Sequence, residues 1–173
     1  VDLSDGFVLR ARAESETYQF QPMLFAMLVL DVLDQALPIA QQKRIELLHD
    51  MDEESQERLI NADQGLLTRA LFNLLENAIK YSPADTSITL RVCCREEWLH
   101  CELIDQGKGI AADELPDLFS QYRRFSSAQG IDGVGLGLSM VKAVVDHHGG
   151  KIECRSVVDQ GTTFLLELPL IHE

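Results

Sequence analysis

Cationic residues are scarce in this chain: 15 lysines and arginines stand against 28 aspartates and glutamates, a formal net charge of −13. That balance excludes a nucleic-acid-binding surface, which needs a basic face. It excludes nucleotides less well, because a locally positive site or a metal ion can hold an anion on an acidic protein. Cysteine is sparse too. Cys93, Cys94, Cys101 and Cys154 form no CxxC pair and no close Cys/His cluster. All four fall in strand-like segments and read as buried, reduced thiols of a cytosolic protein rather than a disulfide framework or a metal site.

Long hydrophobic runs are also missing. The longest, Met23–Leu30, is far short of the roughly 20 residues that span a bilayer, and Asp31 and Asp34 interrupt its continuation. There is no signal-peptide pattern, internal repeat or low-complexity linker, and a start at Val1 suggests a segment of something longer. What is present is 173 residues, 46% apolar and 25% charged. That is enough for one domain with a substantial core.

Periodicity and turn residues order the elements. Phe7–Ser15 reads as the tail of a helix and "YQFQP" as a short strand ending at Pro22. Met23–Lys43 is helical, interrupted or ended near Pro38. "RIELLHD" is a strand, "MDEESQE" an acidic loop and "RLIN" a short run. Asp63 can cap a helix that runs to about Tyr81 and stops at Pro83. "SITLRVCC" and "WLHCELID" form a strand pair around the turn Arg95–Glu97. "DELPDLFSQYRRF" is a short helical piece and "SSAQGIDG" a mobile loop. A helix over "SMVKAVVDHHGG" precedes the strands "KIECRSV" and "TTFLLELPL". Helices on one side of a mainly antiparallel sheet predict an α+β two-layer sandwich.

Three stretches carry chemistry. At about 100° per residue, "TRALFNLLENAIKYS" puts Leu71, Phe72, Leu74, Leu75, Ala78 and Ile79 on one arc of roughly 160°. Asn73, Asn77 and Lys80 gather within about 60° on the other side. Amide oxygens suit a hard cation such as Mg²⁺ and a lysine suits phosphate, although a plain solvated face fits as well. Glu76 precedes Lys80 by four residues, the spacing of a helix-surface ion pair. "IDQGKGI" places Asp105 at a strand end before Gly107, Gly109 and Ile110. A carboxylate there can accept from an exocyclic amine while the glycines let a flat ring approach; a plain glycine turn fits too.

"GVGLGL" (Gly133, Val134, Gly135, Leu136, Gly137, Leu138) opens a helix, where successive N–H groups and the helix dipole favour an anion. It lacks a Walker lysine and the Rossmann spacing. Met140, Val141, Val144 and Val145 face the core, His147 and His148 read as cap and packing residues, and Gly149 is the C-cap. "GTTF" brings Thr162, whose hydroxyl can bond a base or a bridging water.

In order, NxxxN with Lys-Tyr, DxGxG, the LF…RRF segment, GxGLGL and GTTF resemble the ATP-binding domain of sensor histidine kinases. This is the Bergerat-type fold shared with gyrase, heat-shock chaperone and mismatch-repair ATPases. The resemblance covers about Gln19–Leu170. It implies residues 1–16 as the end of a preceding dimerisation helix and linker, and 17–173 as the ATP-binding domain. It further implies that Asn77 binds Mg²⁺, with Asn73 and Lys80 on the phosphates and Tyr81 beside the nucleotide. Asp105 takes the adenine amino group, with Gly107, Gly109, Ile110 and Thr162 around the ring. Arg124 matches a phosphate-contacting arginine after Tyr122, where the family usually has Phe. Gly133, Val134, Gly135, Leu136, Gly137 and Leu138 line the triphosphate, closing a lid over Gly109–Gly133.

Hydrolysing members of the superfamily carry a glutamate where this chain has Asn73. An amide is no general base, which favours phosphotransfer, with Asn73, Lys80 and Arg124 as the catalytic set. No histidine here lies in a motif like HExRTP, so the acceptor belongs to an absent dimerisation domain. The implied partners are that domain and a response regulator, with no nucleic acid. The isolated domain is expected to be a cytoplasmic monomer. The full-length protein is expected to be a homodimer, free or anchored in the inner membrane. Two other classes remain open: a serine-directed kinase that inhibits a transcription factor, and a nucleotide-sensing scaffold without phosphotransfer.

Overall fold

The computed structural model describes residues 17–120 and 137–172. Its elements are β1 (Gln21–Leu24), α1 (Phe25–Gln42), β2 (Glu46–Met51), α2 (Glu53–Glu57), β3 (Leu59–Ala62) and α3 (Gln64–Tyr81). There follow β4 (Ser87–Arg95), β5 (Trp98–Ile104), a 3₁₀ turn (Leu115–Asp117), α4 (Gly137–His147), β6 (Lys151–Val157) and β7 (Gly161–Pro169). The main sheet has the order β2-β4-β5-β7-β6, and β1 and β3 form a separate ribbon. Every pair is antiparallel except β2 with β4. The expected α+β sandwich with a mainly antiparallel sheet is the one observed.

Alternation makes one face of this sheet a wall of the core. Ile88, Leu90 and Val92 of β4, Leu99, Cys101 and Leu103 of β5, and Phe164, Leu166 and Leu168 of β7 are all buried. They share that core with Val29, Val32 and Ala36 of α1, Leu67, Leu71, Leu74 and Leu75 of α3, and Val141, Val144 and Val145 of α4. All four cysteines lie in strands and are unbridged. Burial pushes the Cys101 and Cys154 thiols up to about 12, so they are poor nucleophiles.

Three local expectations shift. The first strand begins at Gln21, beyond most of "YQFQP". The acidic stretch contains a short helix, because Asp52 accepts the Ser55 N–H at 2.8 Å as its cap. Finally, α1 runs straight through Pro38 to Gln42. Proline deletes one helical hydrogen bond, but Pro38 sits on the exposed side while Ala36 and Ala40 are fully buried. Burial on both sides of it holds the helix. Among the described residues, no helix is long and apolar enough to cross a membrane.

The N-terminal end of α3 is held by a chain of buried polar contacts. Asp63 Oδ1 accepts the Leu66 N–H at 3.1 Å, and Oδ2 accepts the Gln19 N–H at 3.0 Å. The Asp63 N–H donates to His148 Nε2 at 3.0 Å, and His148 Nδ1–H donates to the Val144 carbonyl at 2.7 Å. The Tyr18 ring stacks on His147 at 4.6 Å. These histidines therefore pack and cap, as expected. His148 does so as a neutral ring rather than as a cation facing the dipole, because Nε2 must keep its lone pair.

Burial holds the pKa of His148 below the ordinary 6.5, reinforced by His147 and opposed by the Val144 bond and the Asp63 charge. The unfolded chain takes up this proton near 6.5 and the folded chain only at lower pH. Stability is therefore fully present above 6.5 and lost as pH falls toward the folded value. Denaturant unfolding across this window should show His148→Gln losing a slope of up to about 1.4 kcal/mol per pH unit. Parallel pH profiles for the two proteins would refute the assignment.

Candidate functional site

The apolar stripe of α3 faces the core, and the opposite stripe carries the polar residues singled out by periodicity. Asn73, Glu76 and Asn77 are half-buried, and Lys80 pairs with Glu76 at 3.2 Å. From α3 the chain turns at Pro83 into β4, and β5 returns to end beside the C-terminal turn of α3. Lys43 fastens that turn, its Nζ donating to the Ile79 carbonyl at 2.9 Å and also to that of Lys80. A narrow cleft, open to solvent, lies between α3, the end of β5, α4 and the start of β7. Asn77, Ala78, Tyr81, Asp105, Gly107, Lys108, Gly109, Ile110, Leu138, Thr162 and Phe164 line it.

Asp105 is the polar anchor of this cleft. Its backbone N–H donates to the Thr162 carbonyl at 2.9 Å, which extends the β5–β7 pairing one residue past the strand. Its side-chain Oδ1 accepts two backbone N–H groups, from Gly107 at 2.8 Å and Thr162 at 3.1 Å. Oδ2 has no protein donor among the described residues. The carboxylate is thus aimed by the backbone, with one oxygen kept for an incoming N–H. Burial raises its pKa above 3.8, with the Gly107 and Thr162 N–H groups pulling the other way.

The glycines of "DQGKGI" and "QGTT" answer to backbone packing as much as to a ligand. A Cβ on Gly107 would lie 2.8 Å from the Tyr81 carbonyl oxygen, and one on Gly109 would lie 2.3 Å from that of Val157. A Cβ on Gly161 would come within 2.2 Å of the Asp105 carbonyl oxygen. Gly109 and Gly161 also have positive φ, +74° and +129°. These two make the loop around Asp105 possible at all.

Ser156 fixes two further groups. Its Oγ accepts the Ile110 N–H at 2.7 Å and donates its proton to the Gly161 carbonyl at 3.0 Å. With that proton spent, Thr162 is the donor in the 2.8 Å pair between the two hydroxyls. The Thr162 oxygen is then an acceptor toward the cleft. Sequence reasoning missed Ser156, as well as the wall residues Ala78, Lys108 and Phe164. Phe164 was accessible, since it stands two residues after Thr162 on a strand and so shares its face.

Asn77, Tyr81, Asp105, Gly107, Gly109, Ile110, Leu138 and Thr162 therefore meet in one cleft. Asn73 and Lys80 lie on the same helix but outside its lining. Asn73 is next to the start of α4, its Nδ2 lying 3.8 Å from where a Cβ on Gly137 would be. An anion held between Asn73 and the first turn of α4 meets the positive end of that helix. Tyr122, Arg124, Gly133, Val134, Gly135 and Leu136, with most of the expected lid, lie outside the described residues. Among the described residues, no cluster of three His, Cys, Asp or Glu side chains offers a metal site. Mg²⁺ with one protein oxygen, the Asn77 amide, and phosphate oxygens for the rest still suits that ion.

Residues 62–172 match the family described as histidine kinase-, DNA gyrase B- and HSP90-like ATPase, and the chain belongs to that family. It is similar to the adaptive-response sensory kinase SasA of Rippkaea orientalis, 30% identical over 87% of this chain and 38% of that protein. It is also similar to the sensor histidine kinase WalK of Bacillus subtilis, 28% identical over 100% of this chain and 29% of that one. The sensor protein KdpD of Clostridium acetobutylicum is 36% identical over 64% of this chain and 13% of its own length. The chain thus spans well under half of each of these three relatives.

Among solved structures, full-length ShkA in complex with AMPPNP superposes with a TM-score of 0.83 at 25% identity, over 98% of this chain and 35% of that one. The nucleotide-free catalytic domain of the histidine kinase ThkA gives 0.77 at 22% identity, over 87% of this chain and 95% of that one. The ThkA likeness bears on the fold alone.

Proposed function

We propose that this domain binds Mg-ATP and presents its γ-phosphoryl group to a histidine on a dimerisation domain of the same protein, from which a response-regulator aspartate takes it. The observation that carries the reading is Asp105, a buried carboxylate in the cleft lining with Oδ1 fixed by two backbone N–H groups and Oδ2 left without a protein donor among the described residues. Thr162 supplies an acceptor beside it, and Ala78, Ile110, Leu138 and Phe164 supply the apolar walls for the ring. Asn77, Asn73 and the N-terminus of α4 continue from the base toward the phosphates, with Lys80 and Arg124 completing the set. Bound Mg²⁺ would neutralise phosphate charge.

Transfer rather than hydrolysis follows from the polar stripe. Asn73 cannot take a proton from water, and Glu76 is engaged with Lys80 at 3.2 Å and is absent from the cleft lining. In transfer, the bond from the γ-phosphorus to its bridging oxygen breaks, a P–N bond to the acceptor imidazole forms, and ADP leaves. Supplying the domain with its own upstream helices and labelled ATP should yield phosphoprotein whose label is lost in acid and kept in base. Acid-stable label would establish a serine-directed kinase instead, and absence of label would leave a nucleotide-sensing scaffold. The reading also has the working protein as a homodimer through its dimerisation helices, with the isolated domain a monomer.

A further inference from the structure

Of the six arginines among the described residues, four are matched to carboxylates, and Arg95 is exposed at the end of β4. Arg44 pairs with Asp85, Arg58 with Glu54, Arg91 with Asp50 and Glu102, and Arg155 with Glu153. Arg69 on α3 is different. It is half-buried, its Nε is fully buried with no hydrogen-bond partner, and no carboxylate reaches it among the described residues. Its guanidinium lies over the Phe72 ring at 5.6 Å, which takes water from one of its faces and holds it against the helix. A cation kept this way beside so many acids is available to an anion from outside the chain.

Its position says which anion. Arg69 precedes Asn73 by four residues and Asn77 by eight, so at about 100° per residue it extends the polar stripe to a width of roughly 80°. Along the axis it lies about 6 Å beyond Asn73, on the side away from Asn77 and the adenine end of the cleft. The order along α3 is then Tyr81 beside the base, Asn77 between the base and the phosphates, Asn73 at the first turn of α4, and Arg69 last. Lys80 adds little net charge to this stripe, since Glu76 cancels it at 3.2 Å.

Building on the nucleotide reading of the cleft, we propose that Arg69 contacts the terminal, γ-phosphoryl end of the bound nucleotide. It discriminates a triphosphate from a diphosphate. The planar fork of an arginine suits two oxygens of one phosphoryl group, which a lysine point charge matches only in part.

The test is titration calorimetry of this chain with Mg-ATP and Mg-ADP, for wild type, Arg69→Gln and Arg69→Lys. A melting curve of each variant checks folding. Arg69→Gln should weaken Mg-ATP by about tenfold and Mg-ADP by less than about twofold, with Arg69→Lys between. Equal weakening of both nucleotides would overturn the proposal, because the contact would then be structural or lie nearer the base. Unchanged ATP affinity with slower phosphotransfer in the full-length protein would also overturn it, placing Arg69 on the acceptor domain instead. A wild-type chain that binds neither nucleotide would remove the cleft reading itself, and the Arg69 assignment with it.

Discussion

Replacing Asn77 by alanine is expected to abolish Mg²⁺-dependent ATP binding while leaving the fold intact. Alanine is the better helix former by roughly half a kcal/mol, and Asn77 is only half-buried, so the melting temperature should stay the same or rise slightly. The binding loss has two sources on the proposed reading. One is the amide oxygen that holds the cation, and the other is the lining the side chain gives to the cleft next to Ala78 and Tyr81. Removing partners outside the inner coordination sphere of a metal already costs 10- to 100-fold, so loss of the protein's own ligand should exceed about 100-fold. Calorimetry with and without Mg²⁺ separates the two sources. If Asn77→Ala weakens nucleotide equally in both conditions, Asn77 shapes the cleft and holds no metal. An unchanged affinity would remove it from the site altogether.

How much of this was legible before the fold was known differs by range. The stripe of Asn73, Asn77 and Lys80 was legible because a helix repeats every 3.6 residues and the apolar residues around it declare the opposite face. The strand ends and Asp105 were legible because alternating side chains stop at the glycines. The Glu76–Lys80 pair needed only its spacing. What could not be read was long-range. Nothing local tells that the Asp63 N–H meets His148 85 residues later, or that Tyr18 stacks on His147. Pro38 misled for the same reason, since its local penalty was visible and the burial of Ala36 and Ala40 was not.

Ser156 and Arg69 are failures of another kind. A serine in a strand and an arginine on a helix are commonplace, and only the Ile110 and Thr162 contacts of one and the missing carboxylate of the other single them out. The glycines show how a correct position can carry an incomplete reason. Sequence suggests that Gly107 and Gly109 make room for a ring, whereas the coordinates add that backbone from α3 and β6 already occupies the space their side chains would need.

Gly161→Ala extends that reason to a glycine whose importance the sequence only hinted at. The backbone there has a φ of +129°, and the new methyl group would sit 2.2 Å from the Asp105 carbonyl oxygen and 3.2 Å from the Gln106 Cα. Neither neighbour is a flexible side chain, so relief requires β7 to part from the end of β5 where Thr162 and Asp105 exchange hydrogen bonds. Strain of this kind together with overpacking should cost about 3 kcal/mol, a fall in melting temperature of roughly 6–12 °C for a chain of this size. Nucleotide affinity should fall with it, because the Asp105 carboxylate is aimed by the same contacts. Gly137→Ala is the control. It sits at the start of α4 with the nearest atom, Asn73 Nδ2, 3.8 Å from the added carbon, and a glycine exchanged for alanine in a helix gains stability. One replacement should therefore lower the melting temperature and the other leave it level or raise it. If Gly161→Ala melts with wild type, the β5–β7 junction yields at little cost, and backbone packing is not what holds Asp105 in place.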